Sequence, residues 1–401
     1  VLDFCFAQKG EPFRVIQHQD DSPTDQSISV NYSNDKMDAN LSIAPQGILF
    51  ESEIYPSKEL KYENGTLTID GVHDPFGLIF YFLTNYSEYF NQDRDQHDRF
   101  KSVNHPLVKL GLNTTPVVDL LIKQIWEQIG LDYSKVQKGF EIVPTFDIDI
   151  AWAYKERPFL RAIGAAFKGG SILERIQVMS GAKKDPYDTF EEIQRIADDF
   201  EKTRGFVLLG DYGPYDKNIP WNNSNYQLLI NQLSKNLELG IHPSYKSYGD
   251  QHQIKIEKSR LEQIVDRKIV ASRQHFLRLK IPNTYHDLID VGLNHDHSMG
   301  FADNIGFRSG TSFSYPFFNL INNHSTTFMI HPFVYMDSAF KDYLKLDVRQ
   351  SMDKMNQIMQ QVKEVGGQFS FIWHNSSIHD QGEWKGWKIL LNQTLAAGYE
   401  K

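Results

Sequence analysis

Two kinds of hydrophobic pattern run along the chain, and the change between them falls near residue 139. Before it, short apolar segments are broken by polar and turn-forming runs. Ser27 to Tyr32, Gly47 to Ile54, and Leu67 to Ile69 after the turn dipeptide Asn64-Gly65 predict short strands. Phe76 to Phe90 is an aromatic segment that reads as helical. Val118, Leu121, Ile125 and Ile129 share one helical face after Thr115-Pro116, a cap-then-proline start. The run NQDRDQHDRF, Asn91 to Phe100, is too polar for a core; it reads as a solvated loop, or as a strip lining a contact with the rest of the chain. Residues 131 to 139 read as a polar linker.

From Phe140 onward the pattern becomes strand, loop, helix, repeated. Phe140, Ile142, Val143 and Phe146 mark a buried strand. A capping box, Thr189 with Glu192, opens a helix with Phe190, Ile193, Ala197 and Phe200 on one face. Phe206 to Leu209 reads as a strand, Leu228 to Leu237 as a helix, and Gly240-Ile241-His242 as a strand end. A polar helix from about Glu257 to Arg267 precedes the strand Ile269-Val270, and a helix over 284–292 leads into HDHSMGF. Val348, Met352, Met355, Met359 and Val362 form the core stripe of a late helix. QFSFIWH then alternates as a strand ending at His374. This alternation predicts a parallel sheet, closed or nearly closed into a (β/α) barrel. The fold class is α/β: a distorted (β/α) barrel over 139–401, preceded by a smaller α+β domain over 1–138.

Length supports that division, since 401 residues exceed what one core usually covers. The apolar fraction of 40% and charged fraction of 23% are ordinary for a globular protein. A formal charge of -9 argues against nucleic acid or an anionic membrane as the main partner. The 13% aromatic content suits a sugar-handling cleft as well as an ordinary core. Cys5 stands alone, so no internal disulfide points to an oxidising compartment. The apolar runs are too short to cross a bilayer. A cytoplasmic setting is expected, or the cell envelope if a leader preceded Val1; the oligomeric state stays open.

Candidate chemistry gathers at predicted C-terminal strand ends, the rim that carries function in (β/α) barrels. Asp147 and Asp149 lie one residue apart, so on a strand they point to the same side and could converge on one ion or one water. Buried carboxylates need a metal, a base or a proton relay, although this pair could also cap a helix or accept from backbone amides. His242, Arg273, His275 and His374 occupy later strand ends. His295-Asp296-His297 has the look of a metal-binding HxH, but in a polar loop or edge strand it reads as structural.

In order, Thr145-Phe146-Asp147-Ile148-Asp149, Gly240-Ile241-His242-Pro243-Ser244, Arg273-Gln274-His275-Phe276 and Trp373-His374-Asn375 resemble the motifs of NodB-homology polysaccharide deacetylases. The match covers roughly residues 141 to 380, and GFRSGT (Gly306 to Thr311) and YMDSAF (Tyr335 to Phe340) resemble a bacterial branch with an additional N-terminal domain. The resemblance implies a distorted (β/α) barrel that removes acetyl groups from N-acetylated sugars with a divalent metal, Zn²⁺ or else Co²⁺ or Ni²⁺. By position it implies Asp147 as catalytic base, Asp149 as metal aspartate, His242 as first metal histidine, Arg273 as the group orienting the base, and His374 as acid. Tyr245 and Arg308 are candidate substrate contacts. Two departures stand out. Ile148 separates the usually adjacent aspartates, and Lys246 occupies the place of the second metal histidine. His275, where the family's Arg-x-Pro-Tyr motif has proline, or His252 could supply the third ligand; a site without metal is the other outcome.

Other readings are weaker. A chitinase-like DxDxE strand would need an acid glutamate where Ala151 stands, and the same alanine removes the threonine of a DxDxT phosphotransferase. A sugar-nucleotide transferase would leave Arg273 and His374 without a role. The alternative to an enzyme is a deacetylase-like barrel that lost its metal and binds glycan or protein; Lys246 favours it, while Asp147, Arg273 and His374 together favour activity.

Overall fold

The structure, a computed structural model, describes residues 1–15, 28–56, 58–156 and 172–399; Ser27, the expected start of the first strand, lies outside them. Strand β1 (Val30–Tyr32) pairs in parallel with β2 (Leu41–Ile43). β3 (Leu60–Glu63) and β4 (Thr66–Ile69) form the hairpin expected at Asn64-Gly65, whose φ angles are 50° and 80°. Two successive positive φ values give the turn the twist that a two-residue hairpin needs. Gly47 to Ile54, expected as a strand, is not one: Gly47 takes φ 112° and redirects the chain into a 3-10 turn over Ile48–Phe50.

The aromatic segment is helical over Pro75–Leu83 and apolar all round because Phe76, Leu78, Ile79 and Phe82 are all covered. Its cap, Asp74, accepts from the N–H of Gly77 at 2.9 Å and also from the Tyr32 hydroxyl at 2.8 Å, which ties β1 to the helix start. The helix Val117–Gln128 buries Val118, Leu121 and Ile125 as its spacing requires. Thr115 does not cap it. Instead the Val118 N–H donates to the carbonyl of Gly310 at 2.8 Å, a partner far along the chain.

Among the described residues, the later chain forms one nine-stranded sheet. Its members are β5 (Glu141–Ile148), β6 (Arg204–Val207), β7 (Glu238–Ile241), β8 (Ala271–Ser272), β9 (His295–Asp296), β10 (Tyr315–Asn319), β11 (His324–Ile330), β12 (Tyr335–Met336) and β13 (Gln368–His374). Their order is β10-β11-β9-β8-β7-β6-β5-β13-β12, parallel throughout except for the β10/β11 hairpin. Helices Phe190–Asp199, Ser224–Leu233, Gln251–Val265, Asn283–Asp290, Val348–Val365 and Lys388–Ala396 intervene or follow. The methionine helix is framed by an Asp347/Gln350 capping box and by Gly366 at φ 69°, and it buries Met355, Met359 and Val362. The box expected at Thr189 is not made: its hydroxyl donates to the carbonyl of Asn375 at 2.9 Å, and Glu192 binds Lys388 at 2.6 Å. His295-Asp296 is neither loop nor edge; it sits between β8 and β11.

The sheet is strongly curled. Only four residues, 331–334, carry the chain from β11 to β12 at opposite ends of the strand order, and four residues span at most about 14 Å. Curling does not become closure, because among the described residues no ladder joins β10 to β12; the distorted barrel takes the form of an open, half-barrel sheet. β10 folds back on β11 and covers that strand's outer edge, while β12 offers just two residues.

The first third packs directly onto this sheet, and its buried apolar residues belong to the same continuous core. Polar groups lock the contact. Glu88 receives Arg308 in a two-point pair at 2.8 and 2.6 Å, both residues being buried. Asp119 accepts from the Ser312 N–H and hydroxyl at 2.8 and 2.9 Å. Arg308, expected as a substrate contact, is therefore spent inside the molecule. Removing one partner of a buried pair strands the other charge, so Glu88→Ala should cost about 3–5 kcal/mol in denaturant unfolding, against well under half of that for Glu63→Ala on the exposed hairpin.

His105, buried beside this pair, accepts from the Leu107 N–H at 3.2 Å, and burial, opposed by Glu88 and reinforced by Arg308, pushes its pKa down to about 4. The unfolded chain, titrating near 6.5, then binds more protons between pH 6.5 and 4, so stability falls as pH drops through that window. At pH 5 this group should cost about 2 kcal/mol relative to pH 7. Unfolding curves of the wild type and of His105→Asn, which keeps a capping acceptor without the titration, should differ in pH slope by that amount; parallel slopes would refute it.

Candidate active site

β5 lies inside the curled sheet, third from its β12 end, and Asp147 and Asp149 stand at its C-terminal end. β13 pairs directly with β5, setting His374 opposite Asp147, and curling brings the ends of β7 and β8 round to meet them. Asp147 is buried and accepts from Arg273 Nη1 at 2.8 Å. Arg273 is itself fully buried: its Nε donates to the carbonyl of His297 at 2.9 Å, and its guanidinium lies 4.3 Å from the centre of the Phe206 ring. That ring sits against Gly240, where a Cβ would come within 2.7 Å of it, so β7 reaches His242 only with glycine at this position.

Asp149 is the centre of the arrangement. His242 Nε2 lies 3.2 Å from its Oδ1, while His275 Nε2 and His374 Nε2 lie 3.7 and 3.8 Å from its Oδ2. Each ring's other nitrogen is occupied by a group that can only accept, or accepts as a carboxylate. His242 Nδ1 meets the carbonyl of Arg273 at 2.6 Å, His275 Nδ1 meets Asp216 at 2.9 Å, and His374 Nδ1 meets Asp337 at 2.7 Å. Nδ1 must carry the proton in all three, so all three turn Nε2 toward Asp149. Burial disfavours charge on Asp149, yet His275, with His242 and His374 behind it, holds its carboxyl well below the usual range. Burial likewise opposes the imidazolium of His275, but Asp149 and Asp216 raise it to about 9; Asp337, with Asp149 and Asp147, raises His374 to about 10.

The donor set fits a divalent cation. Ligand atoms of Asp149, His242 and His275 lie within 4.8 Å of one another. A tetrahedral ion with nitrogen and oxygen donors at about 2.0–2.1 Å separates its ligands by about 3.4 Å, close to the 3.2 Å between His242 Nε2 and Asp149 Oδ1; His275 Nε2 lies 3.7 Å from the other oxygen of the same carboxylate. Asp149 Oδ1 is buried and has no hydrogen-bond partner, as an oxygen reserved for an ion would be. His275 thus stands where a third ligand is needed. Lys246 does not: its side chain is exposed, and its backbone N–H donates to Asp216 at 3.3 Å. His252, the other candidate, is exposed on the helix Gln251–Val265, beside Trp221 and Arg260. Tyr245 borders the site, donating its N–H to Asp216 at 2.8 Å.

Asp216 and Asp337 were not among the expected site residues. Asp337 lies inside YMDSAF and binds the His374 N–H at 2.9 Å as well as its ring. Asp216 sits in the loop after β6, buried, with His275 and two backbone amides as partners. An aspartate shortly after a strand end was the available signal, but loop carboxylates are too common for it to stand out.

Residues 1–133 match the model of a family of unknown function, DUF7033. No curated protein sequence matches the chain. Among solved structures, a similar fold occurs in crystal structures described as polysaccharide deacetylases. One from Mycobacterium smegmatis has 15% identity and a TM-score of 0.42, covering 65% of this chain and 84% of that one. One from Pseudomonas aeruginosa PAO1 has 9% identity and 0.42, covering 66% and 86%. Bc1974 from Bacillus cereus has 9% identity and 0.30, covering 65% and 87%. The chemistry below rests on the site's own geometry.

If Asp216 fixes the tautomer of a ligand, Asp216→Asn should weaken Zn²⁺ binding about 10–100-fold, and His275→Ala further, in competition with a chromophoric chelator. Equal affinity in His275→Ala and the wild type would remove that residue from the ligand set.

Proposed function

We propose that this protein is a metal-dependent hydrolase that removes N-acetyl or similar acyl groups from a sugar or polysaccharide precursor. The observation that carries the reading is the constellation around Asp149: an orphaned carboxylate oxygen facing two tautomer-fixed imidazoles, with a carboxylate–arginine pair on one side and a carboxylate–histidine pair on the other. The motif resemblance assigns the substrate class. Residues 1–138 are read as an N-terminal domain on the same footing, one whose apolar residues join the core of the sheet they cover. Among the described residues no helix is long and apolar enough to cross a membrane.

Asp149, His242 and His275 would hold the ion, Zn²⁺ or else Co²⁺ or Ni²⁺, which when bound supplies Lewis acidity to a water and to the acyl oxygen. Asp147, held in place by Arg273, takes a proton from the attacking water. Oxygen adds to the acyl carbon and the carbon–nitrogen bond breaks. His374, kept protonated by Asp337, gives its proton to the departing amine, so that acetate and a free amino sugar leave. The arrangement favours an enzyme over a binding-only relic. Lys246, the residue that argued for loss of the metal, lies outside the cluster, and His275 stands in the cluster instead.

Asp147→Asn should lower acetate release from an N-acetylated sugar by at least about 100-fold while the zinc content of the purified protein stays at the wild-type level. Loss of metal in this variant would exchange the roles of the two aspartates. No metal uptake by the wild type from Zn²⁺, Co²⁺ or Ni²⁺, together with no acetate, would hand the site to the binding-protein reading.

A further inference from the structure

The rings do not stop at His275. Phe276 packs edge-on against it with centroids 4.8 Å apart, Tyr245 meets Phe276 at 5.3 Å, and Tyr215 stacks on Tyr245 at 4.2 Å with 30° between their planes. His97, from the polar run of the first third, closes the group at 4.9 Å from Phe276 and 5.5 Å from Tyr215. Arg278 covers Tyr245 at 4.0 Å, so Tyr245 is sandwiched and Tyr215 is the outermost ring, 45% exposed.

The stack is held at a cost. Phe276 and Leu277 both take left-handed backbone, φ 60° and 53°, which bulky residues avoid. The first third restrains them. Arg99, fixed by Asp95 at 2.7 Å, donates to the Phe276 carbonyl at 3.3 Å. Arg278 donates to the carbonyls of His97 and Tyr245, both at 2.8 Å. Tyr215 is also chain neighbour to Asp216, the partner of His275, so one loop carries the exposed plate and the positioning carboxylate.

We propose that Tyr215, with Tyr245, Phe276 and His97 behind it, is a subsite that stacks against the apolar face of a pyranose ring, the sugar next to the one whose acyl group reaches Asp147. This rests on the deacetylase reading for the identity of the ligand and makes the substrate an oligomer or polymer rather than a single sugar. A ring with one C–H-rich face and hydroxyls at its edge suits an exposed tyrosine platform. It also gives the run from Asn91 to Phe100 a role, as the part of the first third that shapes the substrate rim.

The test is calorimetric titration with an N-acetylated hexosamine tetrasaccharide and with its monosaccharide, in an Asp147→Asn background that blocks turnover, with Tyr215 retained or changed to Ala or Phe. Tyr215→Ala should weaken tetrasaccharide binding about 10-fold with no matching loss for the monosaccharide, and Tyr215→Phe should retain the affinity. Equal tetrasaccharide affinity in the Ala variant, equal losses for the two sugars, or no tetrasaccharide binding by the parent would each overturn the subsite. Acetate release by the wild type is read separately. Release with an inert Tyr215→Ala sinks the subsite alone, whereas a Tyr215 effect without release sinks the deacetylase reading and leaves a glycan-binding platform.

Discussion

Everything at the rim depends on which nitrogen of each imidazole carries the proton. Carbonyl and carboxylate acceptors at Nδ1 of His242, His275 and His374 leave only one way for the rings to face, and all three face Asp149. The acceptors come from separate parts of the fold: the backbone after β8, the loop after β6, and the end of β12. His242 and His374 find theirs on neighbouring strands, but Arg273 and Asp147 could not meet in a flat sheet. Neighbouring strands lie about 4.8 Å apart, so β5 and β8, three steps apart in the order, would stand about 14 Å from each other, beyond the reach of Arg273 to Asp147. Curl is therefore part of the site, and the short link over 331–334 helps impose it.

The charges follow from the same geometry. Asp147 has a fully buried arginine as its counter-ion, whereas Asp149 has only imidazoles, groups that can give up a proton and become ligands. That asymmetry separates two carboxylates one residue apart: one keeps a permanent cation, the other a set of neutralisable donors. His374 differs from the other two rings in the company it keeps, since Asp337 accepts from both its ring and its backbone N–H.

Much of this was legible from residue order. An apolar run marked β5 and alternation marked β13, so both strands were located with their terminal Asp147 and His374. β8 and β9, two residues each, leave no run to recognise; β8 began two residues later than Ile269-Val270 suggested, and His295-Asp296 passed for an edge. Long-range pairing was out of reach as well. Nothing local to Arg308 announces Glu88 as its partner, 220 positions earlier, and Thr189 reads as a cap until the Asn375 carbonyl takes its hydroxyl.

Lys246 shows why position in a motif and position in space part company. Along the chain it occupies the expected place of a second metal histidine and argues for a broken site. In space, the 3-10 turn over Tyr245–Ser247 sends its side chain outward, and the Tyr245 and Lys246 N–H groups hold Asp216 beneath the next strand end. Asp216 fixes His275, which stands where proline would otherwise be expected and faces the same aspartate. A rigid proline there would offer neither a ligand nor a partner for Asp216. Positions 246 and 275 are thus tied through Asp216, which holds the backbone of the one and the ring of the other.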